Sequence, residues 1–425
     1  MPSSSSPPPP PKQSRLIDAT PFPFAWAVLM ASLVTMVATI PGQTVGVSVF
    51  LDAIIDDLGV TRSTVSLLYT VGTLAGSLAL PFVGRFIDGR GPRLAVGLIA
   101  SAFAGACLYM SFVEGLWMLA IGFVLIRMLG QGSLSLVSQH VLNLWFVQRR
   151  GMAVGLVMIG MAVATALAPQ GLESLVGAVG WRSGYAWLAA IVALVAVPVG
   201  VTFFRDRPEA YGHRPDGHRR STVEERPLRE ATMSLAQARR TAAFWLVVSG
   251  DAAVSALGTG LIFHHFDILA QGGIDRMAAA AVFVPIGLVT AVGTFGSGVM
   301  LDRFPPRFTL SLCLAFLVAA LLMAGNVPPG LAWLYGTLLG LAQGMKNSVS
   351  GAIYATYFGR RHLGSVKGFA TTLTTAGTAI GPLLFSVGYD LAGSYVPVLW
   401  LSALWPAVGA LAALRLRPPS APSQS

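Results

Sequence analysis

Long apolar runs and short polar connections alternate along most of the 425-residue chain. An α-helix that crosses the hydrocarbon core of a bilayer needs about 20 mostly apolar residues, at ~1.5 Å each. The pattern therefore predicts an all-α membrane protein with twelve transmembrane helices. Their expected bounds are 24–48, 63–86, 93–112, 116–143, 151–174, 182–204, 242–265, 277–301, 308–325, 331–357, 365–390 and 395–416.

Polar segments divide the chain into five parts. Residues 1–21 are rich in serine and proline, a composition that cannot bury a core and predicts a disordered tail. Residues 205–240 form the longest internal polar stretch and are predicted to link a first six-helix bundle, 22–204, to a second, 241–416. Residues 417–425 form a second short tail.

The distribution of Lys and Arg predicts the orientation, because cytoplasmic loops carry an excess of both. If both termini are cytoplasmic, the inner segments hold 23 of the 28 basic residues and the outer loops hold three, Arg62, Arg182 and Arg276. Two more, Arg127 and Lys346, lie inside predicted helices. We therefore expect a multi-pass protein of the plasma or inner membrane with cytoplasmic N- and C-termini.

The composition argues against other protein classes. Charged residues make up 11% of the chain, against about 25% in soluble domains. The net charge of +10 is spread over loops and tails, whereas a nucleic-acid-binding protein concentrates basic residues on a soluble domain. We expect no cofactor, no metal site and no enzymatic activity, since neither a phosphate-binding loop nor a cluster of metal ligands or nucleophiles is recognisable.

The two halves of the chain repeat a loop pattern. GRFIDGRGPR in the first half corresponds to GVMLDRFPPR in the second, and the matched residues Gly84/Gly298, Asp88/Asp302 and Arg93/Arg307 are each 214 positions apart. Parallel six-helix repeats are typical of transporters that bind their substrate between two halves.

This paired loop resembles the G-x-x-x-D-x-x-G-x-[RK] signature of the major facilitator superfamily. The resemblance covers about residues 22–416 and implies two pseudo-symmetric six-helix bundles that alternate access to a central site. It also implies that Asp88, Arg93, Asp302 and Arg307 form a conformational latch at one membrane face.

Within that superfamily the chain resembles the monocarboxylate porter and oxalate/formate antiporter branch. Phe24-Ala25-Trp26 is similar to the end of the branch's first-helix motif, and the segment 145–155, WFVQRRGMAVG, is similar to its fifth-helix motif. The sequence departs from the animal monocarboxylate porters at their helix-8 Asp/Arg pair, because residues 277–301 carry no charge.

Three ionisable residues, Arg127, Asp251 and Lys346, fall near the middle of predicted helices. A charge at a helix centre costs about 2.5–3.5 kcal/mol on insertion scales, so these side chains should face a wet cavity or one another. Helical periodicity places Gln131 on the face of Arg127, and Gln343 and Asn347 on the face of Lys346. We expect these five residues to bind an anion, although Arg127 could instead be structural, held by backbone carbonyls or by Asp251.

Asp251 and His265 are candidates for proton coupling, with a fixed ion-pair partner and an interfacial polar residue as the respective alternatives. The sequence thus predicts a secondary transporter that moves a small organic anion, a mono- or short dicarboxylate, by proton symport or anion exchange, working as a monomer in the bilayer. Two alternatives stay open at this point: an efflux carrier for amphipathic compounds and a non-transporting ligand sensor.

Overall fold

The computed structural model describes residues 14, 17, 20–147, 149–211, 213, 233–359, 362–417 and 419, without the side chains of Arg150 and Asp302. The predicted tails, 1–21 and 417–425, and the centre of the predicted linker lie almost entirely outside these residues.

The first bundle contains six membrane-length helices. α1 consists of Phe24–Val37 and Thr44–Leu58, joined by the 3-10 turn Ile40–Gly42. The next three are α2 (Arg62–Arg90), α3 (Pro92–Met110) and α4, which runs through Leu116–Ile126, Arg127–Leu134 and Ser135–Trp145. The run Arg150–Ile191, Val192–Ala196 and Val197–Phe203 breaks at Gly180, whose φ of 77° no ordinary helix contains. It therefore holds α5 (150–179) and α6 (181–203).

The second bundle repeats this order. α7 (Ala242–Phe263) continues after His264 as His265–Gln271, and the remaining helices are α8 (Arg276–Arg303), α9 (Pro306–Ala324), α10 (Ala332–Phe358), α11 (Leu363–Ala392) and α12 (Tyr395–Leu414). Three single turns, Pro208–Tyr211, Leu235–Ala238 and Pro329–Leu331, lie in connections.

The twelve predicted helices are present in the described part of the chain. Ten helical runs are long and apolar enough to cross a membrane, and one of them, Gly151–Phe203, contains both α5 and α6. α10 is the twelfth helix, and its polar residues Gln343, Lys346 and Asn347 lower its hydropathy.

The predicted end of α1 at residue 48 was ten residues too early, because the helix continues to Leu58. The three aspartates of 49–58 lower the hydropathy of this segment, which remains helical as an amphipathic extension: Phe50 and Ile54 are fully buried while Asp56 and Asp57 are exposed. Gly59, with φ 60°, ends it in a left-handed C-cap.

The two bundles meet along α5 with α8 and along α2 with α11, and α1 also contacts α7. An even number of crossings puts the start of α1 and the end of α12 at the same end of the molecule, here called the terminal end. The other end, at which α1 meets α2 and α7 meets α8, is called the distal end.

Candidate functional site

A cavity of about 620 Å³ lies between the bundles, in the half of the molecule nearer the terminal end. Its walls come from α5, α8 and α10, with Lys367 at the start of α11. The α5 wall is apolar and contains Met158, Ile159 and Met161, whereas α8 and α10 contribute the polar side chains Thr290, Thr294, Lys346, Asn347 and Ser350. Among the described residues of this lining, Lys346 and Lys367 are the charged ones and none is acidic.

Lys346 and Asn347 face this space between the two bundles. Lys346 is partly buried and Asn347 is exposed to the cavity. Among the described residues, no carboxylate lies within 4.0 Å of the Lys346 ammonium group. Gln343, one turn earlier on α10, is partly buried and packs over Gly258 of α7. An ammonium group that faces a cavity without an acidic partner is suited to holding an anion.

The close packing of α10 against α8 sets the direction of this polar face. Gly336, Gly340 and Gly344 lie against the α8 backbone, where an added Cβ at Gly340 would approach Ile286 O to 2.8 Å. The stripe of small residues lets the two helices touch and turns the Lys346 side of α10 away from their contact.

Asp251 lies inside the second bundle, with 9% of its surface exposed. Its carboxylate accepts hydrogen bonds from Ser350 Oγ at 2.6 Å and from the Tyr354 hydroxyl at 3.5 Å, both on α10. Asp251 does not pair with Arg127, which was one of the alternatives for the arginine.

His265 is fully buried in an aromatic cluster. Its Nε2 lies 2.9 Å from Ala279 O on α8, and its ring packs on Phe283 and Tyr335 at centroid distances of 4.3 and 5.9 Å. The alternative to proton coupling for His265, an interfacial polar residue, does not match the structure, because both His264 and His265 lie in the core of the second bundle. His264 is likewise fully buried, with Nε2 2.8 Å from Pro382 O.

Arg127 is held within the first bundle and does not share the cavity with Lys346. Its Nε donates to Thr73 Oγ1 at 2.9 Å and its Nη1 to Gly42 O at 3.0 Å, while the guanidinium stacks 4.6 Å from the Tyr69 ring centroid. Tyr69 in turn packs on Phe263 of the second bundle, with ring centroids 4.5 Å apart. One aromatic layer thus separates Arg127 from the bundle interface.

Several polar atoms near Arg127 are buried without a hydrogen-bond partner among the described residues: Arg127 Nη2, Gln131 Oε1 and Ser135 Oγ. The helix is π-helical over Arg127–Leu134, and such bulges are frequent at functional sites. An unpaired buried polar group costs about 1–3 kcal/mol. Residues 127–135 therefore contain buried polar atoms that are available to hydrogen-bond a ligand.

Charged residues close the distal end by linking the two bundles, an arrangement that the sequence analysis missed. Arg276 of α8 contacts Asp52 of α1 at 2.5 Å and Glu173 of α5 at 2.7 Å. Arg62 of α2 contacts Asp52 at 2.7 Å and Asp267 of the second bundle at 3.3 Å. Asp390 of α11 also accepts a hydrogen bond from Ser63.

The third arginine of the outer loops forms a pair that does not cross between the bundles. Arg182 Nη1 lies 2.6 Å from Asp57 Oδ2, and both residues belong to the first bundle. The side chains of this pair are partly exposed, as are those of Arg276 and Asp52. The Arg182–Asp57 pair, however, does not join the two bundles.

The latch residues lie at the terminal end and, where described, contact their own bundle. Asp88 is 72% exposed and lies 3.9 Å from His140 Nε2. Arg93 Nε donates to Val201 O at 2.9 Å, and Arg307 Nη1 donates to Leu416 O at 3.4 Å. The two arginines thus contact similar places, the last turn of α6 and the segment directly after α12. The Asp302 side chain lies outside the described set.

The sequence profile described as Major Facilitator Superfamily matches residues 27–336 and, in a second overlapping match, 252–425. Among curated proteins, the chain is 26% identical over 360 residues to an "Uncharacterized 38 kDa protein in 23S RNA operon" of Thermoproteus tenax, covering 81% of this chain and 83% of that protein. It is 25% identical over 148 residues to the "Probable L-galactonate transporter" of Escherichia coli (strain K12), covering 33% of this chain and 31% of that protein.

Solved structures with a similar fold include a bacterial homologue of the human lysosomal transporter Spinster. Its inward-facing, occupied form superposes with a TM-score of 0.72 at 17% identity, covering 93% of this chain and 96% of that chain. The inward-facing, unoccupied form gives a TM-score of 0.67 over the same coverage. At this identity the similarity concerns the fold alone.

Proposed function

Because the chain belongs to the major facilitator superfamily, we propose that it is a secondary transporter that moves a small organic anion by alternating access. The observation that carries this proposal is the cavity between the bundles, whose charged lining residues are Lys346 and Lys367. A cavity whose described lining holds two ammonium groups and no carboxylate attracts anions and disfavours cations. Asn347 and Ser350 add hydrogen-bonding groups beside Lys346.

The substrate we propose is a mono- or short dicarboxylate, in keeping with the resemblance to the monocarboxylate porter and oxalate/formate antiporter branch. The relative named as a probable L-galactonate transporter is also described as a carrier of an organic acid. The apolar α5 wall, with Met158 and Met161, would contact the carbon skeleton while Lys346 holds the carboxylate.

Arg127 and Gln131 remain proposed anion-binding residues for a different stage of the cycle. In the present conformation Arg127 lies behind Tyr69, yet Arg127 Nη2 and Gln131 Oε1 have no hydrogen-bond partner among the described residues. A carboxylate that moves toward the first bundle when the bundles rotate would accept a hydrogen bond from Arg127 Nη2, whereas Gln131 Oε1 would accept one from a hydroxyl group of the substrate. For proton coupling we favour Asp251, since His265 is enclosed in aromatic packing.

The orientation we propose places the terminal end in the cytoplasm of a plasma or inner membrane, with the protein working as a monomer. The cavity then opens inward, and the ion pairs of Arg62 and Arg276 close the outer side. Rotation of the bundles would break these pairs and bring the latch loops of Asp88 and Asp302 against the opposite bundle.

A thermal-shift panel tests the proposed substrate class. Purified protein is heated with carboxylates of graded length, with their neutral amides and with cationic analogues. Ligands that bind only the native state raise its Tm with concentration. We expect the carboxylates to raise Tm and the matched amides to leave it unchanged, whereas stabilisation by amides or cations alone would contradict an anion site.

A second candidate function, efflux of amphipathic compounds, is favoured by the apolar α5 wall and by Phe295 on α8. The same panel separates the two functions. Stabilisation that follows the length of the apolar group and is indifferent to the carboxylate would support efflux of amphipaths.

The latch makes a separate prediction. Asp88→Ala removes the carboxylate of a proposed latch loop and leaves the cavity lining unchanged. Turnover should therefore fall by about 10-fold, which corresponds to about 1.4 kcal/mol. Substrate affinity should stay within about 2-fold of the wild type. Initial rates and half-saturation in proteoliposomes measure both quantities. A variant with full turnover would count against the latch.

A further inference from the structure

Lys346 lines two cavities at once. One is the cavity of about 620 Å³ between the bundles; the other is a space of about 10 Å³ inside the second bundle, which Asp251, Cys313 and Ser350 also line. The smaller space has room for about one water molecule. A single ammonium group therefore stands between a buried carboxylate and the proposed substrate cavity.

Among the described residues, the buried carboxylate of Asp251 has neutral hydrogen-bond donors but no bonded cation. Ser350 and Tyr354 donate to Asp251, and Lys346 lies beyond 4.0 Å from it. The ionisable groups that face Asp251 from neighbouring helices are Lys346 and Tyr354 on α10 and Cys313 on α9. Among the described residues of α1, α11 and α12, which also pack on α7, no charged side chain contacts Asp251.

The charges of this cluster balance in two states. With Asp251 ionised and no substrate present, the carboxylate offsets the ammonium and the net charge is zero. With a proton on Asp251 and a carboxylate substrate on Lys346, the substrate offsets the ammonium and the net charge is again zero. A substrate without the proton, or a proton without the substrate, leaves one uncompensated charge in a low-dielectric interior, which is the costly case.

We propose that Lys346 couples the two events, so that protonation of Asp251 and binding of the substrate carboxylate occur together and one proton moves with one carboxylate. The inference rests on the proposed function and selects proton symport over anion exchange. No covalent chemistry is involved: the proton binds a carboxylate oxygen of Asp251 on one side of the membrane and leaves it on the other.

Proteoliposomes loaded with a pH-sensitive dye test the coupling. The wild type should accumulate a radiolabelled monocarboxylate when the outside is acidic, approaching about tenfold accumulation per pH unit for a 1:1 ratio, with one proton entering per anion. Asp251→Asn mimics the protonated acid, so it should retain carboxylate counterflow and lose the accumulation. Ser255→Ala is the matched control, because Ser255 lies one turn away and donates only to the Asp251 backbone carbonyl at 2.8 Å.

Failure of the coupling and failure of the proposed function give different results. A wild type without carboxylate counterflow would refute the transport of anions. A wild type with counterflow whose accumulation ignores the pH gradient would overturn the coupling alone, as would Asp251→Asn with undiminished accumulation. If Asp251→Asn does not reconstitute, the proton-to-anion ratio of the wild type still decides, since a ratio of zero contradicts the proposal and a ratio of one supports it.

Discussion

Replacing Lys346 with alanine is expected to weaken carboxylate binding about 10- to 100-fold. Hydrogen bonds that involve a charged group contribute about 1.5–3 kcal/mol, and 1.4 kcal/mol corresponds to a tenfold change in Kd. Lys346 forms no direct ion pair among the described residues, and Asp251, the carboxylate whose charge it offsets, keeps its hydrogen bonds from Ser350 and Tyr354 after the change. The fold should therefore tolerate the change, and calorimetric titration with the best carboxylate of the panel measures the loss.

Lys367→Ala is the matched control, since this lysine lines the mouth of the same cavity but is exposed to solvent. Water screens its charge, so its removal should weaken binding by less than about 5-fold, in the range of an exposed ion pair. Lys346→Arg keeps the positive charge and should restore part of the affinity. Equal losses in the two alanine variants would show that the cavity attracts anions only through its general charge.

Replacing Arg276 with glutamine should open the distal end. The change removes contacts to Asp52 and Glu173 and a 3.0 Å hydrogen bond to Val49 O, all of which link the bundles. Because these side chains are partly exposed, we expect a combined loss of about 1–2 kcal/mol, discounted for screening by solvent. The ratio of distally open to distally closed molecules should then rise about 5- to 30-fold.

Electron paramagnetic resonance distances between spin labels at the exposed positions Asp56 and Gln271 report this opening. The only two cysteines of the chain, Cys107 and Cys313, are buried, which favours selective labelling of introduced cysteines. Arg182→Gln is the matched control: it breaks the 2.6 Å pair with Asp57 inside one bundle and should leave the distance distribution unchanged. If both variants broaden the distribution equally, the Arg276 network is not the outer closure.

The sequence predicted the helices well because hydropathy is a local property. Each membrane-length run appears in the structure within a few residues, and the main departure, the extension of α1 to Leu58, arises where aspartates alternate with buried residues such as Phe50. The face of α10 that carries Lys346 was also predictable, since an unbroken helix preserves the spacing of side chains.

The surroundings of the charged residues could not be predicted, because they depend on contacts between residues that are far apart in the sequence. Arg276 and Asp52 are 224 positions apart, so their pairing follows from how the bundles meet. Arg127 lies in a π-helical segment, which changes the helical register, and Tyr69 separates it from the interface. His265 faces the core because α7 turns at His264. In each case tertiary packing, and not the residue type, decides the surroundings of the charge.

Entrance counterflow tests the central claim most directly: that this carrier binds an organic anion at Lys346 and carries it between the two sides of the membrane. Proteoliposomes loaded with an unlabelled carboxylate are diluted into labelled carboxylate without any ion gradient. The account predicts a transient overshoot of label inside wild-type vesicles and its loss at the same substrate concentration in Lys346→Ala vesicles. An overshoot of equal size and half-saturation in the variant, or overshoot with cations and not with carboxylates, would contradict it.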